Sequence, residues 1–303
     1  MTVVEETENS LLDPTRLCRI DDLYLLARMV IRGVRSGTHN SMRQGRGNEF
    51  FQYRTYERGE DLKNVDWRVF AKRDELVSKT YQEDTNLNIL LVVDSSASMS
   101  YAGKDAVSSK FRYLQMLSAC FAYLANRQGD RIGLFGGSDD SVDWIRPMGG
   151  RGALNRLLVK LGSMKPSGRD IGKQAWTRFN AVLPRDSIVV VLSDFLDGEE
   201  EWKSRLQFAA SDRYECICMQ VLDHDELVLP DSDALRFVEL EGDGEVSATP
   251  DLIRKDYQRK MNQYLDGLQS VILHAGAEYQ LLQTDQDLGH ALRRFLGLRA
   301  HFL

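Results

Sequence analysis

The chain is short of cysteine, with four in 303 residues (Cys18, Cys120, Cys216 and Cys218) at spacings that build no disulfide framework. A small secreted scaffold held by bridges is thereby excluded. Cys216 and Cys218 alternate within an apolar run and so share one face of an expected strand. No second Cys or His pair completes a metal site, and all four read as reduced core residues. Long apolar runs are missing too: none approaches the ~20 residues of a membrane span. Residues 1–15 are acidic and polar, without an apolar stretch long enough for a signal peptide, so a cytoplasmic protein is expected.

Positive charge is in deficit. Lys and Arg number 39 against 45 Asp and Glu, a net −6, which argues against generic nucleic-acid binding. The balance is uneven: residues 32–80 hold 11 Lys/Arg against 7 Asp/Glu, a local +4 that leaves −10 for the rest. This basic collar is either a docking surface or a solvated face. Catalytic signatures are also absent. There is no G-x-x-x-x-G-K-[ST] loop, no G-x-S-x-G elbow and no H-E-x-x-H helix. Ser108-Ser109-Lys110 reads as a polar helix start before it reads as a Ser–Lys catalytic pair, and His39, His274, His290 and His301 stand singly. No internal repeat or low-complexity tract is visible.

What is present centres on Asn88-Ile89-Leu90-Leu91-Val92-Val93-Asp94-Ser95-Ser96-Ala97-Ser98-Met99. A short apolar run with branched residues, bounded by polar turn formers, reads as a buried parallel strand. Open α/β sheets place ligands at the carboxyl ends of such strands. Asp94, Ser96 and Ser98 could there converge on a hard cation, which takes oxygen ligands. The competing reading is a helix entry in which Ser96 or Ser98 is only a cap.

The rest of the chain alternates. Helical periodicity covers 20–34, with Leu23, Leu26, Ala27, Val30 and Ile31 on one face, and 110–128, with Phe111, Leu114, Leu117, Phe121 and Leu124. Further helices are predicted over 153–161, up to about residue 183, from Glu199, over 250–274 and over 288–296. Strands are predicted at 76–81, 131–135, 187–194, 214–222 and 278–283, with an antiparallel edge strand at 141–145. Leu235–Leu240 and Glu245–Ala248 flank a Gly-rich turn and read as a β-hairpin. Strands alternating with helices after residue 88 predict a doubly wound, mostly parallel sheet.

One further stretch carries a resemblance. Tyr56-x-x-Gly59-Glu60-Asp61-x-x-x-Val65-Asp66-Trp67, then Ala71-Lys72, Lys79 and Asp94-x-Ser96-x-Ser98-Met99, resembles the domain-of-unknown-function 58 family. Those are MoxR-associated proteins built on a von Willebrand factor A-like domain. Ser36-Gly37-x-His39 and Gly45-x-Gly47-x-Glu49-Phe50 fit as well, and the likeness runs from about residue 20 to near the end. Glu60 stands where the family has Asp, and Lys63 and Lys72 where it has Arg.

The resemblance implies a von Willebrand A-like, Rossmann-like α/β domain over 87–303, with one antiparallel edge strand, helices on both faces and an inserted β-hairpin at 235–248. An N-terminal helix, loop and strand extension, 1–86, would pack on it. The resemblance also implies a metal-ion-dependent adhesion site for Mg²⁺ or another divalent cation, with Asp94, Ser96 and Ser98 in the first loop and Asp194 ending a later strand. The family's Thr loop corresponds to 166–172, where Arg169 stands in the Thr position. A guanidinium has no acceptor and a permanent charge, so it cannot ligate a cation. Either the metal binds through the remaining residues and water, or Arg169 reaches in and replaces its charge; an alignment shifted by a residue or two would offer Ser167 or Asp170. Asp223-His224-Asp225 ends a strand on the same edge and reads either as an addition to the rim of the site or as a solvated acidic loop, the second being the expectation.

The implied function is a non-enzymatic adaptor or chaperone-like partner of a MoxR-type AAA+ ATPase, acting on a client protein. Tyr56, Asp61, Asp66, Trp67 and Arg169 are the candidate partner-binding residues. The alternative is a Mg²⁺-dependent phosphohydrolase using Asp94 and Asp194, for which no positioned base is visible. A secreted adhesion module fits less well, for want of a signal peptide and disulfides.

Overall fold

Two continuous apolar runs, Ile89–Val93 and Ile188–Leu192, lie side by side at the middle of a six-stranded sheet. The structure is a computed structural model that describes residues 14–37, 50–55, 69–70, 77–81, 87–139, 142–196, 199–207, 214–230, 235–238, 245–248 and 250–293. Its contacts divide the chain into two compact units, one of residues 1–39 with 87–303 and one of 40–86. The division differs from a single boundary at residue 86, because the first long helix belongs with the larger unit.

In that unit, α1 (Pro14–Leu17) and α2 (Leu23–Gly37) precede β3 (Asn88–Asp94), a 3-10 turn (Ala97–Ser100) and α3 (Lys110–Arg127). There follow β4 (Arg131–Gly137), β5 (Val142–Met148), α4 (Arg151–Ser163), α5 (Lys173–Val182), β6 (Ser187–Ser193) and α6 (Glu199–Arg205). Then come β7 (Tyr214–Leu222), α7 (His224–Leu227), the β8–β9 hairpin (Leu235–Val238 and Glu245–Ala248), α8 (Pro250–His274) and β10 (Glu278–Gln283). A last helix, α9, is described over 288–293. The smaller unit contributes β1 (Phe50–Thr55) and β2 (Val77–Tyr81), an antiparallel pair. The sequence reading had identified β2 without its partner.

The sheet order is β10-β7-β6-β3-β4-β5, parallel throughout except for β5. Counted along the sheet's own strands, this is the doubly wound 3-2-1-4-5-6 order with its third strand reversed. It is the von Willebrand A-like arrangement that the resemblance implied. The reversed edge runs from Val142 to Met148 rather than ending at Ile145. It carries Pro147, which cannot donate to a ladder and is tolerated on an edge.

Because side chains alternate along a strand, the central strands feed two cores. Ile89, Leu91, Val93, Ile188, Val190, Leu192, Ile217 and Met219 face α2, α3, α4 and α9. Leu90, Val92, Val189, Val191, Cys216 and Cys218 face α5, α6 and α8, where Trp176, Phe179 and Trp202 form an edge-to-face aromatic cluster. The cysteines are all free, and only Cys18 is not fully buried.

The face predicted for α2 is the buried one. Helix α3 is buried almost all round, beyond its predicted stripe, because α2 covers the side turned away from the sheet. Tyr24 of α2 meets Tyr123 of α3 edge to face at 5.5 Å. Such pairs are worth about 0.5–1.5 kcal/mol beyond their area. Gln115 Nε2 donates to the Leu161 carbonyl at 2.8 Å and ties α3 to α4. Among the described residues, no helix is long and apolar enough to cross a membrane.

Candidate functional site

Strands β3 and β6 end next to each other, and each ends in a carboxylate. Asp94 closes β3, and Asp194 is the first residue beyond β6; both are buried. Ser193 Oγ donates to Asp94 Oδ2 at 2.7 Å, and the Ser96 amide donates to Asp94 Oδ1 at 2.8 Å. Ser96 Oγ and Ser98 Oγ lie 3.0 Å apart, and Ser98 Oγ donates to Asp194 Oδ2 at 2.7 Å. Asp94, Ser96, Ser98 and Asp194 are thus joined through hydrogen bonds at the ends of the two strands.

A residue absent from the candidate set completes the cluster. Lys110, the first residue of α3, is 0% exposed, and its Nζ sits 2.8 Å from Asp194 Oδ2 and 2.6 Å from Glu226 Oε1. Burial alone would favour the neutral amine, yet the two carboxylates outweigh it and hold the Lys110 pKa above its ordinary value. Glu226 is drawn upward by burial and pulled back by Lys110. The Tyr101 ring lies 5.9 Å from Nζ, and burial with the acids at Asp225, Asp223 and Glu226 pushes its phenol up to about 12.

Glu226 is positioned by a capping box. The Asp223 side chain accepts the Asp225 amide at 3.0 Å, and Glu226 Oε2 accepts the Asp223 amide at 2.8 Å. The sequence reading took 223–225 as a loop, but Asp-x-x-Glu is the signature of a helix start, and α7 begins there. Gly103 lies against this turn. A Cβ at that position would come within 2.3 Å of Asp223 Oδ1, and the next amide, Lys104, donates to Asp225 Oδ2 at 3.0 Å. The 101–109 loop therefore closes over the acidic turn only because residue 103 has no side chain.

Beyond Asp194 the backbone is held in an unusual conformation. Phe195 has φ 59°, the left-handed region that costs a bulky residue about 1–3 kcal/mol. Three contacts keep it there: its amide donates to Ser193 Oγ at 2.9 Å, its carbonyl accepts from the Tyr264 hydroxyl, and its ring packs 4.2 Å from Trp202. Gln220 Nε2 donates to the Asp194 carbonyl at 2.7 Å while Gln220 Oε1 accepts from the Tyr279 hydroxyl at 2.6 Å, fixing the same turn from β7.

Among the described residues, Asp94 differs from its neighbour in having no cation in contact. Burial, then the charge of Asp194, raise its pKa from 3.8 to about 7, against the lowering effect of the Ser193 and Ser96 hydrogen bonds.

The 166–172 loop meets the cluster through its backbone. Ala97 donates to the Gly168 carbonyl at 2.9 Å, and Ser167 donates to the Ser95 carbonyl at 2.9 Å. Arg169 is exposed, its amide on Asp139 Oδ1 at 2.6 Å and its carbonyl on the Asp139 amide at 2.9 Å. The cation that meets Asp194 is Lys110. Asp170 supplies no ligand either, because its carboxylate pairs with Arg205, which stacks 4.8 Å over Trp202.

The donor set does not fit a divalent cation well. Both oxygens of Asp94 carry internal hydrogen bonds, and the Asp194 oxygen nearest Ser98 already holds an ammonium. Among the described residues, no group of three or more His, Cys, Asp or Glu side chains is placed to hold a metal. Tyr56, Asp61, Asp66 and Trp67 lie outside the described residues, as do His39 and His301. His274 and His290 are exposed and remote from the cluster in hydrogen bonding, with partners Ser270 and Gln280.

The fold is that of a von Willebrand A-like α/β protein, with acids and serines at the strand ends linked to one another and to a lysine. The chain belongs to the family described as "Protein of unknown function DUF58", which it matches over residues 52–264. It is 26% identical over 292 residues to "Uncharacterized protein Rv1480" of Mycobacterium tuberculosis, covering 95% of this chain and 90% of that one. Among solved structures, the conserved hypothetical protein BatB from Bacteroides thetaiotaomicron overlaps 71% of this chain and 99% of its own, with a TM-score of 0.48 and 14% identity. The SpRpn10 VWA domain overlaps 69% of this chain and 95% of its own, at a TM-score of 0.39 and 12% identity.

Proposed function

We propose that this protein is a non-enzymatic interaction module whose docking face is the carboxyl edge of the sheet, serving in the cytoplasm as an adaptor between a MoxR-type AAA+ ATPase and a client protein. The observation that carries the docking reading is the rim of the cluster. Leu196, two residues beyond Asp194, and Val228, at the end of the α7 turn that carries Glu226, are 44% and 41% exposed next in sequence to a largely buried polar network. Two apolar side chains over a rigid, internally satisfied base suit a protein surface better than a small substrate. The ATPase itself comes from the family resemblance, with the nucleotide chemistry on that partner.

The phosphohydrolase alternative requires Asp94 and Asp194 to share a cation around a phosphate. Asp194 Oδ2 accepts from Lys110 and Ser98 instead, which weighs against that metal-binding pair.

The test is direct binding of the purified chain to the purified MoxR-type AAA+ ATPase of the same organism, with Leu196→Asp and Val228→Asp as surface variants. Each variant should weaken association about tenfold or more, equivalent to about 1.4 kcal/mol, while leaving the melting temperature unchanged. Undiminished binding by both variants would remove the strand-end face from the reading. Phosphate release from the purified chain, abolished in Asp94→Ala, would replace it with the hydrolase.

A further inference from the structure

The strand-end cluster has the residues of a cation site and a side-chain cation already in it. Lys110 Nζ lies 2.8 Å from Asp194 Oδ2, the oxygen that also accepts from Ser98 at 2.7 Å. Its second partner, Glu226, comes from the end of the next strand at 2.6 Å. The ammonium is closed off from solvent by the 101–109 loop, whose Tyr101 ring lies over it and whose Gly103 fits against the α7 turn.

We propose that Lys110 is the built-in counter-ion of this cluster, an ammonium in the electrostatic place of a divalent cation, so that the face it supports works without a metal.

Geometry sets the competition between the two cations. A Mg²⁺ bonded to Asp194 Oδ2 at about 2.1 Å would lie within about 5 Å of Nζ, which is 2.8 Å from the same oxygen. Two cations that close, with no water between them, repel strongly in a low-dielectric interior. The lysine also has no means of swinging out, being fully buried and bridged to two elements.

Its position argues in the same direction. The first turn of a helix carries the positive end of the helix dipole, an unfavourable place for a lysine. Ser109 already caps that end, its hydroxyl accepting the Arg112 amide at 3.2 Å, so Lys110 is not needed to complete the helix. What it does supply is a positive charge between two carboxylates that would otherwise be buried together. An arginine at 169 is no substitute, because it points its backbone to Asp139 and is exposed.

The measurement is a titration of the metal-free, full-length chain with Mn²⁺, followed by electron paramagnetic resonance and calorimetry, and repeated with Mg²⁺. The wild type should show no stoichiometric site at millimolar ion. Lys110→Ala, with the ammonium gone, should bind Mn²⁺ at least roughly tenfold more tightly than wild type and melt higher in its presence. One-to-one binding by the wild type, or a folded Lys110→Ala protein indifferent to both ions, would overturn the proposal.

Should Lys110→Ala fail to fold, a cycle with Lys110→Met and Asp194→Asn decides. The double variant should recover part of the stability that Lys110→Met alone loses, and simple additivity would overturn the counter-ion role. The metal measurement is made on the isolated chain and stands whether or not the face docks a partner. Only the further consequence, partner binding that survives chelation by EDTA, rests on the docking reading.

Discussion

Asp94 and Asp194 are the same side chain at the ends of neighbouring strands, both buried, and the protein accommodates their charge in opposite ways. Asp194 lies against a lysine ammonium and a serine hydroxyl. Among the described residues Asp94 meets neutral donors, Ser193 and Ser96, and its pKa rises to about 7. Hydrogen bonds stabilise an anion, but in a buried site next to another carboxylate they do not offset the loss of water as a full countercharge does. Two acids that read alike in sequence are therefore an ion-pair anchor and a carboxyl poised to hold a proton.

The comparison breaks most visibly when each charge is removed isosterically. Asp194→Asn takes away one of two partners from a fully buried lysine and should cost about 3–5 kcal/mol in denaturant unfolding, the usual range for breaking a buried pair. Asp94→Asn, measured at the same neutral pH, should stay within about 1 kcal/mol of wild type. Equal losses would mean that the two acids are held alike.

A pH series sharpens the same contrast. The folded pKa of Asp94 is raised from 3.8 to about 7, so between those values the native state keeps a proton that the unfolded chain releases. The contribution of this group is fullest at the acid end of that window and drains as pH rises through it. Asp94→Asn is immune to this loss. Its stability relative to wild type should climb from pH 5 to pH 7.5, by at most about 1.4 kcal/mol per pH unit, and then level off. A flat difference would show that Asp94 is ionised throughout.

A smaller loss than that of Asp194→Asn is expected from the donor that joins the two strand ends. Ser193→Ala removes the hydroxyl that donates to Asp94 and accepts from Phe195. A loss of about 1–2 kcal/mol is expected in the same unfolding assay, with the Asp94 proton held more tightly and the pH response moved to higher pH.

Much of this arrangement was legible before the structure. Ile89–Val93 and Ile188–Leu192 are unbroken apolar runs, and only a strand buried on both faces asks for that pattern. The acids and serines at their ends follow from the strands stopping there. The hairpin at 235–248 was legible from its turn composition, and its paired residues run from Leu235↔Ala248 to Val238↔Glu245.

Lys110 was not legible. Its partners lie 84 and 116 residues further on, and such a pairing leaves no local pattern. Beside Ser108 and Ser109 it looks like an ordinary polar helix entry, and only a positive charge at the wrong end of the helix dipole hints otherwise. Arg169 misled for the converse reason. Its loop does reach the cluster, but by the carbonyl of Gly168, and a backbone contact cannot be read from side-chain identity.

The order in which the chain is made adds a temporal side to Lys110. Helix α3 is synthesised long before β6 and β7 exist, and until their ends arrive neither Asp194 nor Glu226, the two partners of its first residue, is present. Water must solvate that ammonium through the early stages of folding, so the edge of the sheet seals after the central strands have paired. Contacts formed that late slow unfolding more than they hasten folding. Lys110 is thus placed to act as a latch on the finished domain, lengthening the life of the native state without guiding the route to it.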